Sequence, residues 1–440
     1  MESMTTRRQF LGAAGNAALA LSGMSLPAAE PNHRPKVAAV FTEFTYRSHA
    51  HVILENFLEP YLFNGKRTDP GVQVVSFFAD QTPRGHLTED VAREYKIPIF
   101  KSIDEALCLG GKELAVDAVL SIGEHGRYPT NKLGQTEYPR KRFFDAVVAV
   151  LRRSRRFVPL YNDKHLSYRW DWAEEMVRTA TQLGIPFMAG SSVPLAQRIP
   201  PFELPADASV TEAVSIHGGG VESYDFHALE VLQSLVEFRK GGETGISSVQ
   251  FLRGDALWKA AEEGRWSLPL AEKAMEIELG RKPAGLKRVV EETKVAPHGI
   301  LLTYKDGSRG CVLKVGRSGT RWNFACSLRG DPKPYATRFH VGPWQNRNLF
   351  KALSHAIQHH FRTGKAPYPV ERTLLVSGVL DASMHSRAQA GEVLKTPHLE
   401  FAYAARDFRA MREMGASWEI VTEATPEPRG IDRTGRNGKR

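Results

Sequence analysis

From residue 36 to about 194 the sequence alternates short apolar runs with helical repeats. The first run, Lys36 to Phe41, is strand-like. A turn follows, and apolar residues then recur at Ala50, Ile53, Leu54, Phe57, Leu58 and Tyr61. This i, i+3, i+4 spacing predicts a helix with one face against a sheet, and Ser48 offers an N-cap. The same unit repeats. Strands are predicted at 72–78, 98–100, 116–122, 157–161 and 186–189, and helices at 89–95, near 103–107, at 142–152 and at 172–183. Strand–helix–strand units of this length predict an α/β domain over residues 30–194, with a Rossmann-like doubly wound parallel sheet.

After Pro194 the period changes. A proline-rich passage (Pro200, Pro201, Pro205) and a helix from about 224 to 238 lead into alternating runs at 247–252, 299–304, 310–315, 321–328 and 336–341. Their period of two predicts a mainly antiparallel, open-faced sheet with one side covered. Long helices are predicted over 346–362 and about 371–391. Residues 195–402 therefore read as a C-terminal α/β domain, to which the family resemblance described below assigns substrate binding and oligomerisation, and 403–440 as an extension. The last stretch, PEPRGIDRTGRNGKR, is nearly free of apolar residues and reads as disordered.

Composition adds limits. With 42% apolar and 25% charged residues in 440, the chain is an ordinary globular protein. The net charge of +10 is scattered, its densest cluster being Arg140–Arg142 with Arg152, Arg153, Arg155 and Arg156 at the ends of one predicted helix. That reads as a solvated surface, and no nucleic-acid motif accompanies it. Residues 1–29, with Arg7-Arg8 before a short apolar stretch, resemble a twin-arginine signal peptide. The resemblance implies passage through the twin-arginine export machinery, a periplasmic or extracellular mature protein, and no integral membrane anchor after cleavage. Three cysteines make neither a disulfide framework nor a ligand set. A hairpin joining 309–316 to 321–328 would set Cys311 opposite Cys326, leaving a bridge or two buried thiols as alternatives.

Candidate chemistry gathers at the predicted strand ends. The turn FTEFTYRSHAH, residues 41–51, lies where a dinucleotide fold carries its glycine-rich loop, yet has no glycine. Arg47, Ser48 and the free amides of the helix start suit an anion, although side chains in place of glycine would obstruct a pyrophosphate. Asp80 ends the second strand, where such folds bind a ribose. Glu124 and His125 follow the strand 116–122 and complete the candidate cofactor contacts. Lys164 follows the strand 157–161 and can share a proton with a hydroxyl. His227, near a helix start, can accept that proton, with Glu230 one turn on to orient it. His49, His51, Asp163, His165 and Glu222 add imidazole and carboxylate, a chemistry that also suits a divalent metal such as Zn, Mn or Fe. However, His49 and His51 would point about 200° apart on a helix.

Taken in order, VDAVLSIG (116–123), VPLYNDKHLS (158–167), LGIPFMAGSS (183–192), HGGGVESYDFHALEVLQSL (217–235) and FRTGKAPYPVERTLLVSGVLDASMHSRAQAG (361–391) resemble the Gfo/Idh/MocA oxidoreductases. The resemblance implies NAD or NADP as cofactor, a sugar or sugar derivative as substrate, Lys164 and His227 as catalytic residues, and a homo-oligomer built on the second sheet. It departs from the family at the glycine loop, at His165 where proline is usual, and at Ser223 where an aspartate is usual. Asp225 is the nearest candidate replacement for that aspartate. Two alternatives follow: a non-redox glycan hydrolase or lyase, metal-assisted or acid/base, that has lost NAD, and an inactive exported binding protein.

Overall fold

The computed structural model describes residues 34–432 except 295, 317 and 320. Residues 1–29, read above as an export signal, and residues 433–440 lie outside the described residues. Along the first part run β1 (Lys36–Phe41), α1 (His49–Leu58), a small hairpin of β2 (Tyr61–Phe63) and β3 (Lys66–Thr68), β4 (Gln73–Ala79), α2 (Thr88–Glu94), β5 (Ile99–Phe100), α3 (Ile103–Cys108), β6 (Ala118–Ile122), α4 (Arg140–Ser154), β7 (Leu160–Asp163), α5 (Trp170–Leu183) and β8 (Phe187–Gly190). Six of these strands form a parallel sheet in the order β5-β4-β1-β6-β7-β8. With the hairpin set aside this is 3-2-1-4-5-6, the doubly wound order, and its crevice opens beyond the carboxyl ends of β1 and β6. Val37, Ala39 and Phe41 pack to one side and Ala38 and Val40 to the other. Burial on both faces is why β1 reads as an unbroken apolar run.

The second part comprises β9 (Gln197–Ile199), β10 (Val210–His217), α6 (Ser223–Val236), β11 (Ile246–Arg253), α7 (Asp255–Glu262), α8 (Leu268–Leu279), α9 (Leu286–Thr293), β12 (His298–Tyr304), β13 (Arg309–Lys314), β14 (Trp322–Leu328), β15 (Tyr335–His340), α10 (Asn346–Thr363), α11 (Val370–Ala388) and β16 (Leu394–Lys395). The sheet runs β16-β11-β12-β13-β10-β14-β15-β9, antiparallel except between β10 and β13.

Strand β10 overturns the expected hairpin. It lies between β13 and β14, pairing Val214 with Cys311 and Ala213 with Cys326. Adjacent residues of a strand face opposite sides, so the two thiols belong to different cores and do not bridge. β10 escaped the pattern because Glu212, Ser215 and His217 occupy buried positions in it. The sheet's second face is also less open than expected. Helices α7, α8 and α9 cover part of it through Leu257, Leu270, Met275 and Val290, with Trp266 from the loop between α7 and α8.

Helix α1 is buried on more than the one predicted face because α10 packs on it. Asn56 donates to Ser354 Oγ (3.3 Å), and Gln358 donates to the Asn56 carbonyl (2.8 Å). One continuous core joins β1 and α1 with α6, α10 and α11. The extension, expected to end in disorder, is packed through residue 432, with Ile431 and Asp432 buried. Phe408 and Ile431 join the main core, and charge holds the stretch between them. Glu427 pairs with Arg47 (2.5 Å) and Arg347 (3.0 Å) and accepts from Tyr46. Among the described residues no helix is long and apolar enough to cross a membrane.

Candidate active site

A cavity of about 500 Å³ lies where the ends of β6 and β7 meet the start of α6. Lys164, Glu124, His125, His165, His227 and Glu222 line it. Thirteen non-glycine residues have positive φ among the described residues, and five of them line this cavity: Arg47, His125, Lys164, Glu222 and Gln345. Each such conformation costs roughly 1–3 kcal/mol, and such residues concentrate where placement of a side chain matters.

Lys164 follows β7 and reaches two partners: Glu124 Oε1, 3.1 Å away at the end of β6, and the carbonyl of Ser223, also 3.1 Å away on the first turn of α6. His227 stands one turn further on. Its Nδ1 meets Ser191 Oγ at 2.6 Å, leaving Nε2 for the cavity. Burial, with Lys164 and His49 nearby, holds the His227 pKa well below the usual imidazole range, so the ring is neutral. Glu230 does not orient it. That carboxylate accepts from Thr373 (2.9 Å) and faces Arg372. Burial opposes the charge on Glu124, but Lys164 and Arg140 outweigh it and keep the carboxyl well below its normal value.

Glu222 was not a candidate catalytic residue in the sequence. It caps α6 in a capping box with Asp225, and its Oε2 accepts from the Thr136 amide (3.3 Å). Burial pushes its pKa up to about 7, the range in which a carboxyl exchanges protons at neutral pH. Its Oε1 has no partner, and neither has Nδ1 of His165, whose Nε2 faces Arg140 at 3.0 Å. Two unpartnered buried polar atoms on cavity-lining residues suit a ligand rich in hydroxyls. Tyr224 and Trp322 stack with ring centres 6.2 Å apart and close one wall.

Asp225, a candidate catalytic residue, lies elsewhere. Its Oδ1 accepts from His217 Nε2 (2.9 Å) and His298 Nε2 (2.7 Å), and its Oδ2 from the Glu222 amide (2.8 Å). Burial opposes ionisation, yet His298 and His217 hold the carboxyl well below its normal range. This trio is the only ligand-like grouping among the described residues. The Gly219 amide points at His217 Nδ1 (3.3 Å), which places that ring's proton on Nε2 and removes the lone pair a cation would need. His49 Nδ1 pairs with Asp163 (2.6 Å), while His51 Nδ1 accepts the Arg47 amide, so the two imidazoles diverge as expected.

The expected dinucleotide contacts are occupied by the protein itself. In the glycine-free turn, the amides of Thr45 and His51 donate to Ser48 Oγ (3.1 and 3.4 Å), that of Arg47 to His51 (3.1 Å) and that of His49 to His125 (3.3 Å). Ser48 thus does cap α1, and it is filled by doing so. Arg47 is held by Glu427 and the start of α10. Asp80 accepts from the Tyr128 hydroxyl and Arg142, both at 2.7 Å, and Gln81 and Arg127 clasp the same loop to the end of β4. The residues present therefore do not fit the pyrophosphate or the adenosine ribose of a nicotinamide cofactor.

The sheet order and the large second sheet define a Rossmann-like parallel-sheet domain followed by a domain built on a mainly antiparallel sheet. Among solved structures, GenD2 from gentamicin A biosynthesis, in complex with NAD, matches with TM-score 0.51 and 13% identity, covering 85% of this chain and 99% of its own. The apo scyllo-inositol dehydrogenase from Lactobacillus casei matches with TM-score 0.50 and 8% identity over 83% and 98%. No family model and no curated protein matches the sequence. The likeness establishes the fold.

Proposed function

We propose that this chain is an exported enzyme that acts on a sugar or sugar derivative by acid/base chemistry in the Lys164 cavity. The carrying observation is the pairing of a neutral His227 with a Glu222 that titrates near pH 7, both beside the Lys164 ammonium group. In this reading His227 Nε2 accepts a proton from the substrate, protonated Glu222 returns one to a departing or re-forming hydroxyl, and Lys164 stabilises negative charge on the reacting oxygen. Turnover of a sugar panel by the mature protein, with Lys164→Met and His227→Ala as controls, tests it. Substrate binding that survives in the native protein without any turnover would turn the reading into that of a binding protein.

The fold favours a second reading, a nicotinamide-dependent oxidoreductase, since GenD2 was solved with NAD. For this to hold, the 125–142 segment and Glu427 must move off Asp80 and Arg47. Calorimetry with NAD and NADP, together with absorbance at about 260 nm on the purified protein, decides between the two. Tight binding of either coenzyme would overturn the first reading.

A further inference from the structure

Away from the Lys164 cavity, a separate hollow of about 300 Å³ lies at the other end of α6. Leu235 lines it, eight residues after His227 and so about 12 Å further along the helix. The other walls come from Arg198 of β9, residues 203–206 of the loop that follows, Phe238, and the stretch 407–412 of the C-terminal extension. A hollow of this size suits a small ligand of one ring or a short chain.

Two of the lining side chains are guanidinium groups more than nine-tenths buried: Arg198 is 6% exposed and Arg412 3%. They share one carboxylate. Glu203 Oε2 accepts from Arg198 Nη1 (2.6 Å), and its Oε1 accepts from Arg412 Nη2. Arg198 Nη1 also donates to the Phe202 carbonyl (3.0 Å), and its guanidinium lies over the Phe339 ring at 5.5 Å. Among the described residues, Nε of Arg198 and both Nε and Nη1 of Arg412 have no hydrogen-bond partner. The exposed Asp407 and Arg409 neutralise each other (2.8 Å), so the lining keeps a surplus of one positive charge. Burial and the neighbouring Arg412 pull the Arg198 pKa down to about 9, which leaves it charged at neutral pH. A buried charge that lacks a full partner is costly. Water can accept from an orphaned N–H but brings no charge; an anion does both, and its bond to a guanidinium is the stronger.

We propose that this hollow binds a small organic anion, a monocarboxylate whose oxygens meet Arg198 and Arg412 and whose apolar body lies on Leu235, Phe238 and Phe408. Inorganic phosphate would leave that wall bare, and a neutral ligand would leave the charge unanswered. The site is independent of the chemistry at Lys164.

Calorimetry on the full chain tests it with 3-phenylpropionate and hexanoate, with 3-phenylpropanol as a neutral counterpart and inorganic phosphate as an anion without an apolar body. At least one of the acids is expected to bind about tenfold or more tighter than the alcohol and than phosphate. Arg412→Gln should abolish the preference for acid over alcohol. Phe238→Ala, at an exposed position that leaves the core intact, should weaken the acid about threefold or more, and Glu203→Gln, which removes the competing carboxylate, should tighten it. The comparison in the native protein and the Phe238→Ala variant decide the matter even where a buried arginine cannot be replaced without unfolding. No binding of either acid up to about 10 mM, equal binding of acid and alcohol, or acid binding unchanged in the Phe238→Ala or Arg412→Gln variant overturns the site. Phosphate binding as tight as the acids overturns the organic anion.

Discussion

Glu124 and Lys164, at the ends of neighbouring parallel strands, face each other at 3.1 Å with both side chains almost wholly buried. Glu124 also carries Arg140, so one carboxylate answers two cations. Glu124→Gln leaves both cations without a charge partner and is expected to destabilise the fold by about 3–5 kcal/mol. Urea unfolding measures this. Lys164→Met removes only one of the two cations and should cost turnover, roughly 10²-fold or more in kcat, with a smaller loss of stability.

Glu222 predicts the alkaline limb of the pH profile. Its folded pKa of about 7 lies above that of an unfolded glutamate. If its proton is donated in the reaction, kcat/KM falls above about pH 7, and Glu222→Gln lowers the rate and removes that limb. The stability sign is the opposite of a salt-bridged acid's. Burial of this carboxyl is best tolerated below the unfolded pKa and becomes destabilising as pH rises through about 7. Glu222→Gln should therefore raise Tm above pH 7 and leave it unchanged near pH 4.

The histidines act on the acid side. Burial lowers His125 to about 4 and His51 to about 3. Their contribution is complete above the unfolded value near 6.5 and is lost as pH falls through about 4 and then 3. A fall in Tm between pH 6.5 and 3.5 that is smaller in the His51→Gln/His125→Gln variant than in the native protein would bear this out.

Ser191 holds His227 at Nδ1 and is itself fixed by the Val193 amide (3.0 Å). Ser191→Ala should lower kcat about tenfold while leaving KM nearly unchanged, with Ser191→Thr recovering part of the rate. An equal loss in KM would mean that the serine only shapes the cavity.

Asp225→Asn tests the reassignment of that residue. It weakens the hold on two buried imidazoles and should destabilise the fold by about 3 kcal/mol or more, with kcat/KM of the folded fraction preserved. Chelation of the native protein should leave Tm unchanged.

The parallel sheet was legible because its strands are buried on both faces and read as apolar runs between helical repeats. Lys164 and Glu124 were legible by position alone, since strand ends face the crevice. Asp225 was misplaced although the needed geometry was available: it stands two residues before His227 on α6, about 200° around the helix, and so faces the other way. Glu222 was legible only as one of several polar residues gathered near the strand ends; its titration near neutrality gave no signal, because it comes from burial at a turn with positive φ. The packed tail was missed for a related reason. Glu427 is a charged residue in an apolar-poor stretch, and only the tertiary fold brings it to Arg47 and Arg347.

Strand β10 has a consequence beyond pairing. By standing between Cys311 and Cys326 it gives each thiol its own apolar surroundings, while Cys108 lies in a third setting beneath α4. Folding thus requires no oxidant and no reshuffling of bridges, and the folded chain keeps the same covalent structure on either side of a redox boundary.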